Sequence, residues 1–225
     1  MDGRGFLLFL LLEEGRGAGG RADLRAPGPR NRLPPIHALP SYCMMAVHIT
    51  ITQGGGNMGR ILIGVNMEFV RSADKSFAEG VRIAGEMGYE FIEPMVHNGR
   101  ELLSEAGYFH SYSMDEDPLA MRELCDRHGV KISGLSAHCP LMRPEISVPY
   151  LQKAIRFAAD IGVPIVNTDE GIKPDWMDDE HAFQVMKYTL TQVMKTADRY
   201  GVFVGIEDHQ IYSKTTEGLL RIATL

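Results

Sequence analysis

Four times in this chain a helix-like stretch closes on a glycine, and a short apolar run begins at the very next residue. The junctions are GEMG before YEFIEPM (Gly88), DRHG before VKISGLSA (Gly129), ADIG before VPIVNT (Gly162) and DRYG before VFVGIE (Gly201), spaced 41, 33 and 39 residues apart. Glycine at such a point takes the left-handed conformation that closes a helix C-terminus. A Val/Ile/Phe-rich run directly after it is the αβ junction of a parallel-sheet protein. A βα unit takes about 30 or more residues, so the spacing is that of a repeated unit rather than of chance among 24 glycines.

Helix starts agree with the helix ends. Asp117-Pro118 and Ser147-Val148-Pro149 each put a capping side chain ahead of a proline, which the first helical turn tolerates. Thr215 or Thr216 caps the last segment, and the acidic run Asp178-Asp179-Glu180 suits the positive end of a helix. Leu119, Met121, Leu124 and Cys125 are expected to form one buried stripe, and Leu151, Ala154, Ile155 and Ala158 another. Phe183, Met186, Leu190, Val193 and Ala197 form the longest. The order is strand 61–67, helix 74–87, strand 90–95, helix 117–128, strand 130–136, helix 147–161, strand 163–167, helix 179–200, strand 202–207 and helix 215–225. Strict alternation leaves an open doubly wound sheet or a (β/α) barrel. A nucleotide-binding sheet would place G-x-G-x-x-G after its first strand; Gly64-Val65-Asn66-Met67-Glu68-Phe69 lacks it. Ionisable residues instead gather at the C-terminal ends of several strands, where barrels build their sites. The expected fold is α/β, a TIM-type (β/α) barrel.

Residues 13–60 read differently, with Gly, Arg and Pro dominant and no lasting apolar period. Such a stretch cannot bury enough surface to offset its ordering entropy. Residues 1–57 are therefore expected to be a disordered or non-native N-terminal extension, with the barrel occupying 58–225 and Met58 a natural start for it. The run Phe6–Leu12 is short for a signal peptide and meets Glu13-Glu14 at once. No apolar stretch approaches the roughly 20 residues that span a bilayer, so no membrane partner is expected. Residues 61–225 carry 16 basic against 25 acidic side chains, a balance of −9. That suits a phosphate backbone poorly, so nucleic acid is not expected as a partner either. Three scattered cysteines, Cys43, Cys125 and Cys139, make no C-x-x-C pair and point to a reducing, cytoplasmic compartment.

Candidates for chemistry sit at the strand ends. Glu207 follows Val202-Phe203-Val204-Gly205-Ile206, and an acid ending a buried strand is costly to desolvate without a partner. A divalent cation would supply one; an exposed acid at a strand–loop junction is the plain alternative. His138, after Leu135-Ser136-Ala137, is open to roles as metal ligand, proton carrier, hydrogen-bond donor to substrate or structural histidine. Glu93, before Pro94, either lines the pocket or pairs with an arginine. His209 either ligates, orients substrate or sits in solvent. Asp169, Glu170 and Asp208 are expected to be solvated loop acids; Trp176, the only tryptophan, is expected to pack, with stacking on a ligand as the alternative.

Tyr89-Glu90-Phe91-Ile92-Glu93, Gly134-Leu135-Ser136-Ala137-His138, and Val204-Gly205-Ile206-Glu207-Asp208-His209 followed by Thr215-Thr216-Glu217-Gly218-Leu219-Leu220 together resemble the xylose-isomerase-like barrel family of sugar and sugar-phosphate isomerases and epimerases. The resemblance covers about 61–225. It implies a divalent metal (Mn²⁺, Mg²⁺, Co²⁺ or Zn²⁺) held by a Glu on strand five, an Asp on strand six, a His on strand seven and a Glu on strand eight. Carried over, Glu207 is the strand-five ligand and an acid/base, His138 a substrate-side histidine, and Glu93 a pocket residue. The substrate implied is a small sugar or sugar phosphate, and the complete barrel would be open to homo-oligomerisation. This sequence reaches only the helix after strand five, so it is expected to be a fragment or truncated product of about five of eight βα units, inactive on its own. Its open sheet edges would expose unpaired backbone groups. A keto-polyol dehydratase or lyase, a zinc-dependent abasic-site endonuclease, and a non-catalytic barrel fragment acting as a binding module are the competing readings; the −9 balance speaks against the endonuclease.

Overall fold

A computed structural model describes residues 47–48, 62–99 and 109–225. Of the expected extension 1–57, all but Val47–His48 lies outside the described residues. That pair is β1, antiparallel to the start of the first barrel strand through Val47↔Ile63 and His48↔Leu62.

The barrel strands are β2 (Leu62–Asn66), β3 (Phe91–Glu93) continued by β4 (Val96–His97), β6 (Lys131–Ile132) continued by β7 (Leu135–Ser136), β8 (Ile165–Thr168) and β9 (Phe203–Ile206). Each pairs in parallel with its neighbour in chain order, through Asn66↔Glu93, Ile92↔Ile132, Ser136↔Asn167 and Asn167↔Gly205. The arc is five positions wide, a partial barrel. Strands two and three are each broken once. Pro94 has no N–H to give the ladder, and the chain resumes pairing at Met95↔Ser136. Gly134 lies so close to β8 that a Cβ there would stand 2.8 Å from Ile165 Cγ2.

Outside the arc run α2 (Phe77–Glu86), α3 (Pro118–Arg127), α4 (Pro144–Asp160), α5 (Asp179–Tyr200) and α6 (Thr216–Ala223). All four junction glycines have positive φ, between 68° and 84°, the conformation expected of helix-closing residues. Asp117 caps α3 by accepting from Leu119 N, Asp178 caps α5 by accepting from His181 N, and Thr215 caps α6 by accepting from Gly218 N. The long stripe on α5 is buried throughout, as is the Leu151–Ala158 stripe on α4, and these two helices pack side by side.

Three expectations fail. Helix α4 starts at Pro144, not at Ser147; Ser147 is buried and donates its hydroxyl to Pro140 O at 2.5 Å, while Pro149 lies inside the helix. Leu119 is 51% exposed: at about 100° per residue it points roughly opposite Met121, so the true α3 stripe is Met121 and Cys125 with Leu124 half-buried. Trp176 is 81% exposed and does not pack. Two elements escaped the pattern altogether. They are the short helix α1 (Glu68–Ser72) and β5 (Tyr112–Ser113), which extends the tip of strand two by pairing with β4. Cys125 and Cys139 are buried free thiols, and Cys43 lies outside the described residues. Among the described residues no helix is long and apolar enough to cross a membrane.

Candidate metal and substrate site

Strand register sets the site. Asn66 on β2 stands level with Glu93 on β3, and Ser136, Asn167 and Gly205 stand level on β7, β8 and β9. One residue or two beyond, the chain leaves the sheet at its C-terminal rim, and there Glu207 and His138 meet. His138 Nε2 lies 3.2 Å from Glu207 Oε2, and His209 Nδ1 lies 3.5 Å from the same oxygen. The two imidazoles cross edge to face with centroids 4.7 Å apart. Neither approach is aligned as a hydrogen bond. His138 Nε2, Glu207 Oε2 and His209 Nδ1 are buried polar atoms without hydrogen-bond partners.

Glu207 is 4% exposed; its backbone N–H is spent on Thr168 O at 2.8 Å, and His209 N returns to Glu207 O at 3.1 Å. The side chain thus points from a fixed strand end. Burial works against charging His138, but the Glu207 carboxylate beside it, with Asp169 and Glu93 behind, outweighs burial and holds its imidazole above the ordinary value. Glu93 is 5% exposed and accepts from Asn167 Nδ2 at 2.8 Å, not from any arginine. Desolvation, then the negative charge of Glu207, pushes its carboxyl up to about 7. The four residues singled out from sequence (Glu207, His138, Glu93 and His209) therefore stand together on one rim.

Two loop acids do not behave as expected. Asp169 is 5% exposed and Glu170 fully buried, because β8 delivers them beneath the neighbouring loops rather than into water. Glu170 Oε1 accepts from Tyr212 N at 2.9 Å and Ser213 N at 3.0 Å, and Asp169 Oδ2 accepts from Gln210 Nε2 at 3.4 Å. Asp208 is half-buried. Asn167, which steadies Glu93, belongs to the polar strand-four end Asn167-Thr168-Asp169-Glu170 that the sequence offers, and its place within the all-buried strand β8 marks it as an interior polar residue.

A cavity of about 520 Å³ opens beside His138, lined among others by His97, Cys139, Pro140, Ile146 and Tyr150. Its size is that of a small-molecule site. Its walls are held by Tyr150, whose hydroxyl donates to Val96 O at 2.7 Å, and by the 2.9 Å contact of Ser111 Oγ with His97 Nδ1.

The donor set fits a divalent cation. All three ligand atoms lie within 4.8 Å of one another. Two atoms bound at about 2.1 Å to one ion sit roughly 3.0–3.4 Å apart at octahedral to tetrahedral angles, close to the two approaches to Glu207. Imidazole and carboxylate together suit Zn²⁺, Mn²⁺ or Co²⁺.

Sequence comparison with curated proteins gives no match. Among solved structures the chain is similar to a D-tagatose 3-epimerase-like protein, with 20% identity, a TM-score of 0.55, and cover of 71% of this chain and 58% of that one. It is similar also to a sugar phosphate isomerase/epimerase from Parabacteroides distasonis ATCC 8503, with 13% identity, a TM-score of 0.51, and cover of 72% and 60%. At such identities the likeness is one of fold. The chain spans about 58–60% of the length of these two relatives. Residues 81–224, more than half of the sequence, match the xylose isomerase-like TIM barrel family, and the chain belongs to that family.

Proposed function

We propose that this chain carries the strand-one to strand-five side of a sugar or sugar-phosphate isomerase or epimerase site, with Glu207 as metal ligand and as acid/base. The observation that carries the reading is the meeting of two imidazole nitrogens, His138 Nε2 and His209 Nδ1, on Glu207 Oε2, all three buried and without hydrogen-bond partners. Each buried polar atom left unpaired costs about 1–3 kcal/mol. Three at one point, on the rim where barrels do chemistry, are most simply accounted for by a cation that all three would hold. His138, Glu207 and His209 are the residues that would hold it, and when bound it would polarise the carbonyl and hydroxyl oxygens of a ketose.

The chain's own groups then divide the work. Glu207, fixed by the strand behind it, offers its other oxygen to a proton on the carbon next to the carbonyl. With Nε2 given to the cation, His138 keeps Nδ1 to hydrogen-bond a substrate hydroxyl from the 520 Å³ cavity that it lines. Glu93, buried and held by Asn167, stands on the inner side of the site.

Uptake of Mn²⁺ by the full chain, followed by loss of the free-ion EPR signal, tests the proposal without requiring turnover from a partial barrel. Uptake that a ketose such as D-tagatose strengthens is expected from the wild type, and loss of that uptake from Glu207→Gln. Uptake by the variant equal to that of the wild type, or none by the wild type, contradicts it.

A further inference from the structure

Glu170 is completely buried, yet it lies outside the donor set. A buried carboxyl is a poor choice for filling volume, since an apolar residue of the same size avoids its desolvation cost. Its bonds show what it holds. The backbone carbonyl of Glu170 accepts from Leu141 N at 3.1 Å, on the loop that follows His138. Its Oε1 accepts from both Tyr212 N and Ser213 N, on the loop that follows His209. One residue at the end of β8 thus ties together the two loops that carry the two histidines.

The neighbouring residues leave that tie little slack. Gly171, at φ 71°, brings the chain so close to Pro140 that a Cβ there would stand 2.5 Å from Pro140 Cα, which fixes the β8 end against the His138 loop. On the other side Ser213 is fully buried, its Oγ accepts from Gln210 N at 3.1 Å, and Tyr212 donates its hydroxyl to Asp179 at 2.7 Å. The segment from His209 to Ser213 is therefore a short loop pinned at its far end by Glu170.

We infer that Glu170 is a positioning residue: through the Tyr212 and Ser213 amides it sets where His209 Nδ1 stands relative to His138 Nε2 and Glu207 Oε2. The inference rests on the metal-site reading above, and extends it to a residue that touches neither metal nor substrate. Outer-shell partners of metal ligands typically govern about 10–100-fold in metal affinity.

The test is a Co²⁺ titration of the full chain, followed by visible absorbance, for wild type, Glu170→Ala and Glu170→Gln well below their melting temperatures. Glu170→Ala is expected to bind Co²⁺ about 10–100-fold more weakly. Glu170→Gln, which keeps the oxygen that accepts both amides, is expected to stay near the wild type. A Glu170→Ala protein that melts earlier but binds Co²⁺ as the wild type does would overturn the inference, since that is what a purely structural role produces. Should Glu170→Ala fail to fold, Glu170→Asp takes its place; its carboxyl is withdrawn by one methylene, and unchanged affinity there overturns the inference equally. If the wild type takes up no Co²⁺, the metal reading itself fails, and the rate of His209 modification by diethyl pyrocarbonate decides, with exposed His181 as the internal reference. Faster modification of His209 in the Ala or Asp variant supports positioning by Glu170; an unchanged rate overturns it.

Discussion

Asn167 donates its side-chain amide to Glu93 across 2.8 Å, joining the end of strand four to the end of strand two through the barrel interior. The bond exists because Gly205, level with Asn167 on the next strand, has no side chain; a Cβ there would stand 2.2 Å from Asn167 Oδ1.

Gly205→Ala should therefore displace Asn167 and break its bond to Glu93. The cost expected from strain and a lost buried hydrogen bond is about 1–3 kcal/mol, read as a lower urea midpoint with unchanged slope. A variant as stable as the wild type would show that the interior at this level can adjust.

Asp117→Ala should remove the α3 cap, which Asp117 Oδ1 provides to Leu119 N at 2.9 Å. The expected loss is about 1 kcal/mol, with Asp117→Asn close to neutral. Thermal denaturation of the two variants checks the order.

Cys125, 1% exposed, has its thiol pushed up to about 12, by burial first and then by the charge of Asp126. The folded value lies above the ordinary thiol value of 9.0, so the stabilisation is full below pH 9 and is lost as pH rises toward 12. At pH 8 the native chain should protect Cys125 from iodoacetamide, and urea should release it. Peptide-by-peptide mass spectrometry separates it from Cys43 and Cys139. Rapid native labelling of Cys125 would contradict its placement.

Trp176→Ala should change stability by no more than about 0.5 kcal/mol, as for an exposed side chain with no special contact. Its fluorescence should be quenched by acrylamide nearly as well in the native as in the unfolded chain. Strong native protection would mean that something covers the loop.

The repeat of helix, glycine and strand was legible because it rests on local chemistry. The conformational freedom of Gly88, Gly129, Gly162 and Gly201 and the caps at Asp117, Asp178 and Thr215 need no distant partner. Alternation also implied that Glu93, His138, Glu207 and His209 share a rim. What stayed hidden depends on contacts between units. The start of α4 is decided by Ser147 bonding back to Pro140, against a perfectly good capping pattern one turn later. The burial of Asp169 and Glu170 depends on loops that follow strands three and five. No property of TDEG in isolation separates a solvated turn from a latch. Residue type alone favours packing for Trp176, but its loop carries it outward.

If His138 Nε2, Glu207 Oε2 and His209 Nδ1 form one cation site, isothermal titration of the full chain with Mn²⁺ reads it out. One equivalent should bind to the wild type, with affinity falling by at least about 100-fold in Glu207→Gln, where a neutral amide replaces the shared carboxylate oxygen. Equal binding by the two proteins, or no binding by the wild type, would contradict it.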